Sequence, residues 1–300
     1  MNVAHTHGYV DLGEVRLHYV EAGSGPMVLC HHGFPSCWLS FRFQMEALAA
    51  DYRVVSVDGL GANLSSKPAD LSLYRVERLV EQLDQLTTQL GGGEPFSLVG
   101  HDWGAALAWA YAQAHPERLH GVVAIGAPPY NQLIELLRSN DEQRLRSAYM
   151  WTMRDGKQHR SMTRHHGRDL WDHIYAPLRS LPHFDDAMDL QFRDALAVPG
   201  AVDGGIDWYR ANIPTLDAIE SFEAWPSRTA RARVPGLQIW GDDDQTFVPE
   251  FIDALPDYVD DLSVLRLRDT GHWPMIERPD DVNGAIGDFL ARTVTSSGSV

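Results

Sequence analysis

The spacing of apolar residues changes period several times within the first 125 positions. Residues 15–21 (VRLHYVE) alternate apolar and polar side chains, the pattern of a strand with one covered face. Residues 27–31 (MVLCH) form a short unbroken apolar run, which suits a strand buried on both faces. Helical spacing follows over 38–49, and residues 52–58 (YRVVSVD) read as the next strand. Residues 72–90 read as an amphipathic helix closed by Gly91, Gly92 and Gly93. Residues 96–100 (FSLVG) are another buried run. A helix over 105–114 follows, stopped at His115-Pro116 because proline has no N–H to continue the ladder. Residues 119–125 (LHGVVAI) are again strand-like.

Strands alternating with helices predict an α/β fold, with a mostly parallel sheet covered on both faces. From Pro128 to Pro226 the alternation stops. That stretch is rich in Arg, Asp, Met, Trp and His, has few apolar runs, and reads as helices and loops. Strands resume at 237–240 (LQIW) and 262–267 (LSVLRL), and a last helix runs over 280–292. The simplest organisation is one α/β core, residues 1–127 and 227–300, interrupted by a helical insertion, residues 128–226. Residues 295–300 (TSSGSV) are expected to be disordered.

Composition narrows the function classes. A formal charge of −16 argues against nucleic acid or an anionic membrane as partner, since both need a basic face. Two cysteines, Cys30 and Cys37, fit neither a disulfide framework nor a zinc spacing. No stretch approaches ~18 consecutive apolar residues, and the N-terminus carries no basic region ahead of an apolar run. A cytoplasmic setting is the expectation. Histidine pairs at His5/His7, His31/His32 and His165/His166 lack the further ligands a metal site needs.

The stretch VGHDWG (Val99–Gly104) has the outline of a Gly-x-Ser-x-Gly nucleophile elbow with aspartate in place of serine. Such an elbow predicts an acid and then a histidine further along the chain. Trp240-Gly241-Asp242-Asp243-Asp244 sets acids just past a strand, and Thr270-Gly271-His272-Trp273-Pro274 sets a histidine after the next one. Loops at these strand ends gather at the carboxyl edge of an open sheet, where ligands bind. His31-His32-Gly33-Phe34-Pro35 follows a buried strand. In such architectures that loop and the residue after the nucleophile donate two backbone amides to an oxyanion; here they are those of Phe34 and Trp103.

Together, HGFP (His32–Pro35), HDWG (His101–Gly104), WGDDD (Trp240–Asp244) and GHWPMIERPDDVN (Gly271–Asn283) resemble the α/β-hydrolase fold, and within it the epoxide hydrolase and haloalkane dehalogenase branch. The resemblance covers almost the whole chain and implies an α/β-hydrolase core with an inserted helical cap. The acid could be Asp242, Asp243 or Asp244 from the residues alone; the family's spacing Trp-Gly-x-x-Asp, carried over by the resemblance, implies Asp244. One loop departs from the family: residues 58–68 (DGLGANLSSKP) carry Leu60 and Ala62 where arginine and tyrosine are common, which removes an expected structural ion pair.

Aspartate suits this branch because its reaction is displacement at a saturated carbon. A carboxylate, with a pKa of about 3.9, is already ionised at neutral pH and needs no base. The alkyl ester formed on Asp102 is then hydrolysed by water that His272, oriented by Asp244, activates. Epoxide opening also requires an acid for the leaving alkoxide, and the resemblance points to two insertion tyrosines: Tyr209 in IDWYR and Tyr149 in RSAYMW. Tyr130 and Tyr175 are substitutes. A halide would instead require two polarised N–H groups, and Trp151 keeps that alternative open. The preferred reading is an epoxide hydrolase, with a haloalkane dehalogenase as the alternative and a non-catalytic binding protein of the same fold behind it. It implies a pocket lined by Phe34, Trp103, Trp151 and Trp208, a small apolar epoxide and water as partners, no metal or organic cofactor, and a homodimer as the candidate assembly.

Overall fold

In the computed structural model, which describes residues 3–156 and 159–296, the chain opens with three strands: β1 (Thr6–Asp11), β2 (Arg16–Ala22) and β3 (Met27–His31). Helix α1 (Arg42–Leu48), entered through a 3-10 turn at Trp38–Phe41, leads to β4 (Arg53–Val57). Then come α2 (Val76–Gly91), β5 (Phe96–His101), α3 (Trp103–Ala114) and β6 (Leu119–Ile125). Helices α4 (Tyr130–Ser139), α5 (Asp141–Arg146), α6 (Ala148–Arg154), α7 (His159–Met162), α8 (Arg168–Ile174), α9 (Asp186–Ala197) and α10 (Ala201–Asn212) follow. The chain closes with β7 (Ala232–Gly241), α11 (Glu250–Ala254), β8 (Val259–Leu267), α12 (Pro274–Glu277) and α13 (Pro279–Ser296).

One sheet holds the strands in the order β1-β2-β4-β3-β5-β6-β7-β8. From β4 to β8 every pairing is parallel, and β2 pairs antiparallel with both β1 and β4. The order reverses around β3, so the loops after β3 and β5 leave the sheet side by side at its carboxyl edge. All five residues of β3 and all six of β5 are buried, which explains why both read as unbroken apolar runs. Helix α3 is buried from Trp103 to Ala112 and is apolar on every side, as a helix packed within a core must be.

The structure adds to the sequence reading at the sheet's margins. Strand β1 carries no apolar alternation, because only Val10 of its six residues is buried. The last two strands begin at Ala232 and Val259, about five and three residues earlier than their apolar runs suggested. Helix α13 runs through Ser296, so the expected disordered tail is helical at its first two residues; Ser297–Val300 lie outside the described residues. Among the described residues no helix is long and apolar enough to cross a membrane, and no group of three or more His, Cys, Asp or Glu is arranged to hold a metal ion.

The helices between β6 and β7 lie over the carboxyl edge. Helix α10 is tied to the core at its end. The Asn212 side chain donates to Tyr74 O at 2.8 Å and accepts from Val76 N at 2.9 Å, while Tyr130 Oη donates to Asn212 O at 2.6 Å. The loop that lacks the family's arginine and tyrosine is held by another arrangement. Buried Asp58 binds His18 Nδ1 at 2.6 Å, Asn63 Nδ2 at 2.8 Å and the Trp38 amide at 2.9 Å. Leu60 is buried, and its carbonyl accepts from Trp208 Nε1 at 2.8 Å.

Where α3 starts against β3, Gly104 allows backbone to touch backbone. A Cβ there would lie 2.0 Å from His31 O, and neither side is a flexible chain end. Gly104→Ala is therefore expected to destabilise the fold by about 2–3 kcal/mol, a fall in Tm on the order of 5–10 °C. Thermal unfolding of the variant checks this; an unchanged Tm contradicts the close packing.

Candidate active site

Asp102 occupies the single residue between β5 and α3, with φ 54° and ψ −121°. Positive φ is costly for a residue with a Cβ, so the turn is a strained one of the kind that concentrates at functional sites. It lifts the carboxylate out of the sheet edge toward the loop after β3. Gly33 makes room there: a Cβ at that position would sit 2.1 Å from Asp102 Oδ1. The Phe34 amide donates to the same Oδ1 at 2.9 Å, and the Trp103 amide acts on this carboxyl from the elbow side, favouring its charged form. The two expected oxyanion donors therefore converge on Asp102.

The other oxygen, Oδ2, faces His272 Nε2 at 3.6 Å, beyond a direct hydrogen bond. His272 Nδ1 is 2.7 Å from Asp244 Oδ2, and Asp244 Oδ1 accepts from the Thr246 amide at 2.7 Å. The three acids after β7 are thereby told apart. Asp244 is buried against the imidazole, Asp242 is exposed and pairs with Arg266 Nε at 2.7 Å, and Asp243 is exposed. Backbone bonds from Asp242 to Leu267 O and from Asp243 to Thr270 O, each 2.9 Å, hold the acid turn beside the histidine loop.

Electrostatics follow from this placement. Burial acts to lower the His272 pKa, but the charge and hydrogen bond of Asp244, together with the nearby Asp102 carboxylate, outweigh it and raise the value to about 10. Burial likewise pushes the Asp102 carboxyl up, yet the facing His272 imidazolium, with the Trp103 amide, brings it below the usual carboxylate value. Asp102 and His272 therefore form an ion pair. The preceding residue, His101, is driven down to about 3 by burial and by His272, and stays neutral.

A cavity of about 790 Å³ opens above Asp102, Asp244 and His272. Tyr149 and Tyr209 line it, their rings 6.1 Å apart. Burial raises both phenol pKa values well above their ordinary range; the charges of Asp102 and Asp244 add to this at Tyr149, and Tyr149 and Asp102 at Tyr209. Both phenols are thus protonated at neutral pH. Tyr130 and Tyr175 are committed elsewhere, donating to Asn212 O and Pro35 O at 2.6 Å each.

Three of the four expected pocket residues, Trp103, Trp151 and Trp208, lie outside this cavity. Trp151 donates its indole N–H to Pro214 O at 2.9 Å. Trp208 donates to Leu60 O and lines a separate space of about 20 Å³. A buried indole turns its N–H to an acceptor, and here the acceptors are carbonyls away from Asp102. Trp103 stands edge-on to Tyr209 at 5.2 Å and borders a narrow niche rather than the main chamber. Phe34 does line the chamber, with Met153, Met162, Leu170, Leu178 and Leu181 forming an apolar wall. The insertion side of that wall is drawn from α6, α7, α8 and the 3-10 turn after α8, so no single periodicity marks it. Thr246 was also missed, although a residue two beyond an aspartate in a turn is a common partner of its carboxylate.

A family model described as the alpha/beta hydrolase fold matches residues 26–279. Epoxide hydrolase 2 of Caenorhabditis elegans is 27% identical over 292 residues, covering 95% of this chain and 79% of that protein. Bifunctional epoxide hydrolase 2 of Sus scrofa is 28% identical over 314 residues, covering 95% of this chain and 55% of that longer protein. The crystal structure of a Bacillus megaterium epoxide hydrolase in complex with an inhibitor matches with a TM-score of 0.88 at 30% identity, covering 95% of this chain and all of that one. This chain belongs to the α/β-hydrolase fold family. Within that family its likeness is to epoxide hydrolases.

In this α/β-hydrolase the raised His272 pKa carries a signature in stability. A folded-state value above the ordinary 6.5 stabilises the fold fully below about pH 6.5 and is lost as pH rises through about 10. The difference in denaturation free energy between the parent and His272→Gln is therefore expected to narrow steadily from pH 7 to pH 10. Urea melts at several pH values check this, and a constant difference contradicts the ion pair.

Proposed function

We propose that this chain is an epoxide hydrolase working through an ester on Asp102, with the helices of residues 128–226 acting as a cap over the core of residues 1–127 and 227–300. The observation that carries the reading is one chamber lined by a carboxylate with a free oxygen, an imidazolium and two neutral phenols. Asp102 Oδ2 attacks an epoxide carbon while Oδ1 stays on the Phe34 amide. The ring C–O bond breaks, and Tyr209 with Tyr149 hydrogen-bonds and protonates the departing oxygen.

Esterification then changes His272. The ester carries no charge, so the contribution of Asp102 to the raised pKa disappears while that of Asp244 stays. The imidazolium loses its proton, which returns through the chamber to the tyrosinate, and becomes a base. It takes a proton from water, and hydroxide adds to the Asp102 carbonyl carbon. The Phe34 and Trp103 amides receive the negative charge on the carbonyl oxygen, which such donors stabilise by on the order of 3 kcal/mol each. Collapse expels the diol and restores the carboxylate. Each step uses this chain's own groups and water.

The dehalogenase reading has weaker support. It requires two N–H groups aimed at a leaving halide, and the indoles of Trp151 and Trp208 are bonded to backbone carbonyls. A binding-only role leaves the ion pair in the chamber without a purpose. For the setting, two buried free thiols, Cys30 and Cys37, support a reducing, cytoplasmic compartment.

Turnover of a panel of apolar epoxides to vicinal diols, with no halide released from bromoalkanes of matching size, is the expected outcome. Tyr209→Phe is expected to slow ester formation by about 10²-fold and to leave ester hydrolysis within a few-fold of the parent. Single-turnover kinetics separate the two steps, and a selective loss of the second step contradicts the role given to the phenol.

A further inference from the structure

The backbone around His272 is tied down as firmly as its ring. The Glu277 carboxylate accepts from both amides that flank the histidine, Oε2 from Gly271 N–H at 2.7 Å and Oε1 from Trp273 N–H at 2.9 Å. The His272 carbonyl accepts from neutral His101 Nε2 at 2.7 Å. Glu277 ends the single turn of α12, for which Trp273 is the N-cap, and its side chain folds back over that turn. Capping such a turn needs only one acceptor on the Trp273 amide. The second oxygen reaches past the turn to Gly271, so one planar, charged group spans both sides of the base. Charge-assisted bonds of this length are stronger and more directional than neutral ones. Glu277 also borders the chamber that contains Asp102 and His272.

We infer that Glu277 is a positioning residue for the second step, fixing the loop so that His272 Nε2 stays aimed at the Asp102 carboxyl group. The inference rests on the roles of Asp102 and His272 proposed above. In ester formation His272 supplies only a nearby charge, which tolerates small displacements, and the groups that bond to the substrate are carried by the elbow and the insertion: Asp102, Tyr149 and Tyr209. None of them sits on the Gly271–Trp273 loop. Ester hydrolysis depends on Nε2 reaching a water above the Asp102 carbonyl carbon. A misplacement of about 1 Å in such an arrangement costs on the order of 10²-fold in rate. Loosening the loop should therefore divide the two steps.

The test compares the parent with Glu277→Gln and Glu277→Ala, using styrene oxide as probe, rapid quench and intact mass. In Glu277→Ala, ester formation is expected within about threefold of the parent, while ester hydrolysis falls about 10- to 100-fold and the ester accumulates. Glu277→Gln keeps one acceptor oxygen and is expected to fall between the two; it also serves if the alanine variant does not fold. A parallel NMR titration of the His272 ring needs no substrate. The ring is expected to titrate near pH 10 in the parent and with about tenfold weaker proton affinity in Glu277→Ala, because the imidazole no longer stays seated between Asp244 and Asp102. Equal losses in both steps, or an unchanged hydrolysis rate, overturn the inference. If the parent forms no ester with this or any other epoxide, the proposed function fails instead, and the titration alone decides whether Glu277 positions the histidine; an unchanged titration then overturns the inference.

Discussion

A carboxylate that must stay ionised while buried governs the layout of this site. Asp102 is covered on nearly every side, and burial alone would push it toward the neutral, unreactive acid. Two backbone amides on one flank and the His272 imidazolium on the other reverse that tendency. Each support comes from a different strand end, after β3, β5 and β8, and the acid that raises the imidazole comes from a fourth, after β7. The parallel sheet brings these four loops to one edge. The close backbone contact at Gly104 and the space left at Gly33 bring the β3 loop and the elbow within hydrogen-bonding range.

The proposed mechanism draws its order of events from the same arrangement. With Asp102 charged, His272 holds its proton and is the counter-ion of the carboxylate. An ester on Asp102 would remove that counter-charge and free the imidazole to act as a base. One residue would thereby serve two steps, switched by the covalent state of its neighbour. The insertion contributes the two phenols and the apolar wall of the chamber, which in the proposed mechanism take the leaving oxygen and the rest of the substrate. Its helix α10, carrying Tyr209, is fastened to the core through Trp208 and Asn212, so that phenol is held by the scaffold rather than by a free loop.

Much of this was legible in the residues. Buried strands such as β3 and β5 announced themselves as buried runs, because both of their faces are covered. The elbow, acid and histidine followed from their order and from strand-end loops meeting at one edge. The exposed strand β1 gave no signal, since a strand packed along one edge with a single buried side chain has no apolar period to read. Among the aromatic residues Phe34, Tyr149 and Tyr209 do line the chamber, and the tryptophans were the weakest guide. Trp151 and Trp208 sit near the expected positions, but the requirement that a buried indole N–H find an acceptor turned them to Pro214 and Leu60. The insertion's chamber wall and the two Glu277 bonds depend on side chains meeting across separate turns, which no local pattern encodes.

The most direct measurement is the intact mass of His272→Gln protein after exposure to epoxides and, separately, to bromoalkanes, followed by peptide mapping. The variant retains the nucleophile and both phenols and lacks the base, so the ester should form once and persist. A mass gain equal to the whole epoxide, on the peptide that carries Asp102, is the predicted result. No adduct from any epoxide, an adduct on another residue, or an alkyl adduct from bromoalkanes with bromide released would contradict it.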